Sequence, residues 1–475
     1  MNLTRRLTLL LLPVVLAPLA GAEIKLAGIF GDSMVLQRDK PIAIWGSAAP
    51  GEEVTVTLAS KTAKGQADAN GRWSLRLDPL PAGGPFELAV SGTNRIRLRD
   101  VLVGEVWIVA GQSNAELPLI STDGGKEFAA KAKSARLRFF RQEPADAPAP
   151  LEDLKGGPWN TCTPDNVAGW SAMGFHFASE LAEMLDVPVA LIQCTQSGSP
   201  AEPWVERATM EQDPELAPAL QRFARKSKSM PGAVFNGMLA PLSHFTIRGV
   251  LWYQGESNVK FAQQYRRLFP ALIEGWRKLS GQGDFPFLFV QLAGFGPKPE
   301  QPGESPWAEL REVQALARSL PSTGMAVAAD IGDVASLHPT NKRDLGHRLA
   351  LVALAEVYAQ KLECRGPNYK SFEVKGSSVR VRFEHAGTAL RVHGGGKLAG
   401  FALAGADKKF NWAEATIEGD SVVLKCAQVQ APVAVRYAWA DNPLCNLENA
   451  AGLPAEPFRT DAWEAPAAPK PERGR

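Results

Sequence analysis

A chain of 475 residues is too long for a single hydrophobic core, and its 45% apolar content is that of globular domains. The net charge of +2 provides neither the basic field that nucleic-acid binding needs nor an acidic tail, so a nucleic-acid partner is not expected. Five cysteines (Cys162, Cys194, Cys364, Cys426 and Cys445) stand far apart with no CxxC pair, which argues against a zinc or thiol-redox site. Cys426 and Cys445 are near enough in sequence to pair; the other reading is that all five are small buried hydrophobes.

The chain opens with Arg5 and Arg6, continues through an apolar stretch from Leu7 to Leu19 broken by Pro13 and Pro18, and reaches Ala20-Gly21-Ala22. That order of basic, apolar and small residues is a secretory signal over residues 1–22, so the protein is expected to be exported, to a periplasm or to the outside. The apolar stretch is well short of the roughly 20 residues a membrane span needs.

From Glu23 to Asp100 short alternating runs are separated by turn residues. Val54 to Leu58, Asn70 to Leu77 and Phe86 to Val90 read as strands with one wet face, which makes residues 23–100 a small β-domain. It contains Gly31-Asp32-Ser33, the triplet of a large class of serine esterases. Strand-like runs continue on from it, however, and no helical pattern is present to build the α/β sheet such a serine needs.

After Asp100 strands alternate with helices, the texture of a mostly parallel sheet, over residues 101–362. Val106 to Ala110 is a buried strand that stops at Gly111-Gln112-Ser113-Asn114. A helix over Ala172 to Leu185 carries apolar residues at helical spacing, and a strand from Pro188 to Ile192 leads to Cys194-Thr195-Gln196-Ser197-Gly198-Ser199. The strand Gly249 to Tyr253 ends in Gln254-Gly255-Glu256-Ser257-Asn258 and precedes a helix from Phe261 to Leu279. A strand from Phe285, a helix from Ala308 and a strand from Met325 follow. The last of these ends at Asp330, ahead of the loop Asp333 to Lys342 and a helix through Tyr358. Beyond Cys364 the period returns to two, so residues 363–465 form a second β-domain, and the Pro-rich residues 466–475 read as a disordered tail.

Strand-ending loops of a parallel sheet gather at one edge, where such sheets place their sites. Acyl transfer needs a serine, a base within reach, and donors for the developing oxyanion. Ser113 is the candidate nucleophile. His338 is the candidate base, being the histidine held in a loop after a buried strand and before a helix; His176 reads as a packing residue. Gly198 can bring its backbone N–H close to a substrate, and Gln254 or Asn258 can add a side-chain amide.

The residues Val106-Trp107, Gly111-Gln112-Ser113-Asn114, Trp252-Tyr253-Gln254-Gly255-Glu256-Ser257-Asn258, and Leu337-His338-Pro339 with Asn341-Lys342 together resemble the sialate O-acetylesterase family of SGNH-type hydrolases. So do Met34-Val35-Leu36-Gln37-Arg38, Phe235-Asn236-Gly237-Met238, and Gly452-Leu453-Pro454 with Phe458-Arg459-Thr460-Asp461. The resemblance covers nearly the whole chain after residue 22. It implies a flavodoxin-like three-layer α/β/α core flanked by β-domains, and a metal-free, cofactor-free enzyme that removes O-acetyl groups from sugars. By motif, Ser113 is then the nucleophile and His338 the base. The Ser113 N–H, Gly198, Gln254 and Asn258 form the oxyanion hole, and Gln112, Asn114, Trp204 and Glu256 face the substrate.

Three departures stand out. Ala115 replaces a usual methionine, Ser197-Gly198 a usual Gly-Gly pair, and Ala335 and Ser336 occupy positions where relatives often carry an aspartate ahead of the histidine. Asp333 is the first candidate for the missing acid, with Asp330, Glu256 or a Ser-His dyad as the alternatives. A glycan-binding protein with weak or no esterase activity, and an esterase of another acyl group, are the competing functions.

Overall fold

The computed structural model describes residues 23–223 and 230–463, so the expected signal segment and the Pro-rich tail lie outside the described residues. Six parallel strands form the central sheet: β1 (Arg95–Gly111), β2 (Ser134–Arg141), β3 (Val189–Thr195), β4 (Gly249–Tyr253), β5 (Phe287–Val290) and β6 (Thr323–Ala326). Their order across the sheet is β2-β3-β1-β4-β5-β6. Apart from β2, which the short antiparallel strand Asn160–Cys162 pairs on its outer side, this is the flavodoxin-like order, in which the chain reverses direction across the sheet beside its first strand and opens a crevice there. The central strands are apolar and almost wholly buried because helices cover both faces.

Five helices matter for the site: α1 (Ser113–Glu116), α2 (Ala172–Leu185), α3 (Ala262–Ser280), α4 (Pro306–Leu316) and α5 (Lys342–Glu356). The sequence places their ends by capping. Ser171 Oγ accepts from the Gly174 N–H, Ser305 Oγ from the Ala308 N–H, and Asn341 Oδ1 from the Asp344 N–H at 3.2 Å, while α3 stops at Gly281 in the left-handed region. Helices α2 and α5 pack together on one face, α3 and α4 on the other.

The boundary expected at residue 100 falls inside a strand. β1 is 17 residues long, and its first half is paired by Gly83–Ser91 and Val35–Gln37 of the N-terminal β-domain while its second half is the middle of the parallel sheet. One apolar core therefore runs from Ile24 to Leu354. The Met34-to-Arg38 motif has its physical role at this junction. The buried Glu105 carboxylate accepts from Arg38 Nε at 2.5 Å, Arg248 Nε at 2.6 Å and Gln37 Nε2 at 3.1 Å, so the charge is spread over two guanidinium groups and an amide.

The C-terminal strands build separate antiparallel sheets around their own core, which includes Val381, Phe401, Leu424 and Tyr437. All five cysteines are free thiols, so the pairing of Cys426 with Cys445 is not formed and the reading as small, mostly buried side chains applies. No helix among the described residues is long and apolar enough to cross a membrane.

Candidate active site

β1 has to end where it does because of Gly111. Its φ is +127°, and a Cβ there would lie 2.1 Å from the Tyr253 carbonyl oxygen, so only glycine lets the chain turn beside β4. The turn delivers Ser113 as the first residue of α1, where the helix has no acceptor of its own for the Ser113 N–H. From the far side of the sheet edge, the loop after β6 brings back His338. Ser113 Oγ and His338 Nε2 are 2.7 Å apart, although 225 residues separate them in sequence. Both residues are half-buried, so the pair is open to solvent on one side.

With its ring proton on Nδ1, the imidazole accepts the Ser113 hydroxyl proton at Nε2. Burial, and then the nearby Lys342 ammonium, hold His338 below the usual histidine pKa of 6.5, so the imidazole is neutral and ready to act as a base at neutral pH. The His338 N–H donates to Ser336 Oγ, and that hydroxyl donates back to the His338 carbonyl, which fixes the backbone on which the ring is carried.

None of the described carboxylates is hydrogen-bonded to the imidazole. Asp333 Oδ1 accepts from the Ala335 N–H at 2.7 Å and the Ser336 N–H at 2.8 Å, and these bonds hold its pKa below the ordinary carboxylate value. Asp330 forms a two-pronged pair with Arg348, at 2.7 and 2.6 Å. The Glu256 carboxylate lies under Asn114, accepting from its Nδ2 at 2.5 Å. Ser33 is remote from this chemistry: its hydroxyl donates to Asp100, and its backbone is in the left-handed region.

The amides expected in the oxyanion hole are already committed. Gln254 is fully buried; its Nε2 donates to Asn258 Oδ1 and Gln112 Oε1, and its Oε1 accepts from the Tyr265 hydroxyl. Asn258 accepts from the Ala201 N–H and donates to Glu202. These two residues stiffen the floor of the crevice, and their polar atoms are turned to protein. Gly198 differs. Its φ is +72°, the space where a Cβ would stand is open, and its carbonyl accepts from the Ser257 hydroxyl.

Of the residues expected to face substrate, Trp204 is wholly buried, edge-on to Trp252, with its Nε1 donating to Ser199 Oγ; its size and apolarity serve the core. Gln112 is 2% exposed, and its Oε1 accepts from Gln254. Asn114 is likewise 2% exposed, with both ends of its amide bonded within the protein. Burial withdraws all three side chains from direct contact with a sugar.

The Lys342 side chain was not singled out for the site from the sequence. It is wholly buried at the start of α5, its Nζ donates to Asn114 Oδ1 at 2.7 Å, and it lies 5.1 Å from the Tyr253 ring centre. Burial pushes its pKa down to about 7 against the opposing pull of Glu256. The signal available was a lysine at the first turn of a helix, where the macrodipole disfavours a cation and only a specific partner justifies one.

A profile of carbohydrate esterases described as sialic acid-specific acetylesterases matches residues 103–355, more than half of the chain and the whole of the sheet edge just described. The chain belongs to this family. Human sialate O-acetylesterase is 30% identical to this esterase over 490 residues, covering 92% of this chain and 93% of the human protein. The mouse sialate O-acetylesterase is 29% identical over 513 residues. Among solved structures, a carbohydrate acetylesterase from Xanthomonas citri superposes on the esterase with a TM-score of 0.85 at 41% identity, covering 93% of this chain and all of the other. The resemblance read from the motifs, the SGNH-type α/β core with flanking β-domains, and assignment as a carboxylic ester hydrolase acting as a sialate or carbohydrate O-acetylesterase are borne out.

Proposed function

We propose that this esterase is exported and removes O-acetyl groups from sugars through an acetyl-Ser113 intermediate. The 2.7 Å contact between Ser113 Oγ and His338 Nε2 carries the mechanism. His338 takes the hydroxyl proton as Oγ attacks the acetyl carbonyl. Charge developing on the carbonyl oxygen is met by the Ser113 N–H at the head of α1 and by the Gly198 N–H on the open loop after β3. The imidazolium gives its proton to the departing sugar oxygen, leaving acetyl-Ser113. Water then gives a proton to His338 as it attacks the acyl group, and the imidazolium returns that proton to Ser113 Oγ as the acyl bond breaks and acetate leaves.

The relatives named as sialate and carbohydrate acetylesterases support an acetylated sugar as substrate, with sialic acid and polysaccharide acetates as the two classes to compare. The order of residues over 1–22 supports export, and N-terminal sequencing of the mature protein is expected to begin at Glu23.

A fluorophosphonate should block acetate release and label a single peptide, the one that contains Ser113. Labelling at Ser33, or activity that survives Ser113→Ala, would exclude the assignment. Acetate release measured across acetylated sialic acids and acetylated polysaccharides decides between the substrate classes.

A further inference from the structure

Beneath the Ser113–His338 pair lies a buried polar chain that the reaction just described does not use. Asn114, the residue after the nucleophile, is at its centre. Its Oδ1 accepts from Lys342 Nζ at 2.7 Å, and its Nδ2 donates to Glu256 Oε1 at 2.5 Å and to the Leu337 carbonyl oxygen at 3.0 Å. Leu337 directly precedes His338. One amide therefore joins the turn that carries the nucleophile to the backbone that carries the base, with a cation clamping one end and a carboxylate the other. An amide in such a position cannot rotate without breaking three bonds, two of them to ionisable side chains. Glu256 Oε2 is buried with no hydrogen-bond partner among the described residues, so neither Glu256 oxygen is bonded to the imidazole.

We propose that Lys342 and Glu256 hold Asn114 as a strut that sets His338 against Ser113, and that this strut does the orienting work that a carboxylate on the imidazole does in a Ser-His-Asp triad. The inference rests on the Ser113–His338 reading of the reaction. Asn114, Lys342 and Glu256 are positioning residues, since each acts on the chemistry through the Leu337 carbonyl or through its charge. Two further observations support the assignment. Asp333, the nearest aspartate in sequence, is bound to its own loop, so the loop is stiffened without a carboxylate at Nδ1. Burial, and then the charge of the buried Lys342, oppose protonation of His338, which favours the neutral imidazole that the base step uses.

The charged groups that face this pair are Glu256 from the loop after β4 and Lys342 from α5. Ser113 on α1 and the Tyr253 ring on β4 add no charge.

The test compares Lys342→Met and Asn114→Asp with the wild-type full-length chain. Asn114→Asp keeps the volume and the acceptor for Lys342 but removes both donors. Both variants are expected to lose kcat on a chromogenic acetate by about 30-fold or more with KM little changed, and to react with a fluorophosphonate more slowly by a similar factor. Lys342→Met is also expected to move the acid limb of kcat/KM to higher pH, because the cation opposing His338 is gone; a purely structural role would leave that limb in place.

Wild-type kcat in both variants, or a Lys342→Met acid limb that does not move, overturns the strut. Should Lys342→Met fail to fold, the near-isosteric Asn114→Asp decides alone, by kcat and labelling rate. Ser113→Ala and His338→Ala run in parallel separate the two layers of inference. Activity surviving in them overturns the Ser-His reading and the strut with it. Activity lost in them but unchanged in Asn114→Asp overturns the strut alone.

Discussion

At the scale of single residues, the proposed reaction depends on an imidazole kept neutral and in register with a hydroxyl. His338→Ala is expected to cost about a thousandfold or more in kcat, because Ser113 loses its proton acceptor and only the oxyanion donors and substrate binding remain. The pH dependence follows from the direction of the His338 shift. A base must be unprotonated, so kcat/KM rises with pH through the His338 pKa and then levels off. Burial and Lys342 both depress that pKa, so the rise should be centred below 6.5. A pH–rate profile of the wild-type enzyme checks this. An inflection above 6.5 would mean that a carboxylate stabilises the imidazolium in the working enzyme, the opposite of the arrangement described here.

At the scale of elements, the loop between β6 and α5 is the part that sequence reasoning read only halfway. The meeting of His338 with Ser113 was legible because the one follows a buried strand and precedes a helix capped by Asn341, and the other stands where an uncharged strand breaks at a glycine. The amides and Trp204 were not, since Gln254, Asn258 and Trp204 look equally fit for ligand contact until burial and hydrogen bonding show their polar atoms already engaged. The boundary read at residue 100 falls inside a strand for a related reason. A change of texture in the sequence marks a change of neighbours, and the strand itself continues from one sheet into the other.

Asp333 offers a sharp test of what holds this loop. In the structure its carboxylate caps two N–H groups, a task an asparagine oxygen can also perform. Asp333→Asn is therefore expected to keep kcat within about threefold, whereas Asp333→Ala, which leaves both donors without an acceptor, should lower it by about tenfold. If Asp333 instead swings to His338 during turnover, Asp333→Asn would lose several orders of magnitude, as removing a triad carboxylate does. Steady-state kinetics on the two variants tells these apart.

At the scale of the whole molecule, the C-terminal β-domain has its own core yet reaches into the catalytic edge. Asn442, fully buried, packs against Gly294 on the loop after β5 and Gly332 on the loop after β6. Its Nδ2 donates to the Gly296 carbonyl, and its Oδ1 accepts from Lys298. Gly294 and Gly332 have no room for a Cβ, which would fall 2.5 and 2.3 Å from Asn442 Oδ1.

Arg311 on α4 fastens the junction. Its guanidinium, wholly buried and with its pKa pushed down to about 10 by burial, donates to the carbonyls of Leu292 and Ala293 on one side and of Ala440 and Asp441 on the other. Removing it relieves a desolvated charge but leaves four carbonyl groups without this donor, and truncating one side of such a network generally destabilises. Arg311→Met is expected to lower stability by about 3 kcal/mol, read as a shift of the urea midpoint. It should also lower kcat in the molecules that remain folded, because the loop that pairs Phe295 with Asp333 loses its backing. Arg72→Met breaks an ion pair with Glu152 in which both side chains are more than half exposed, and should move the midpoint by less than about 0.5 kcal/mol. An Arg311→Met protein with wild-type midpoint and turnover would mean that the C-terminal domain merely adjoins the esterase core and takes no part in holding the loop that carries His338.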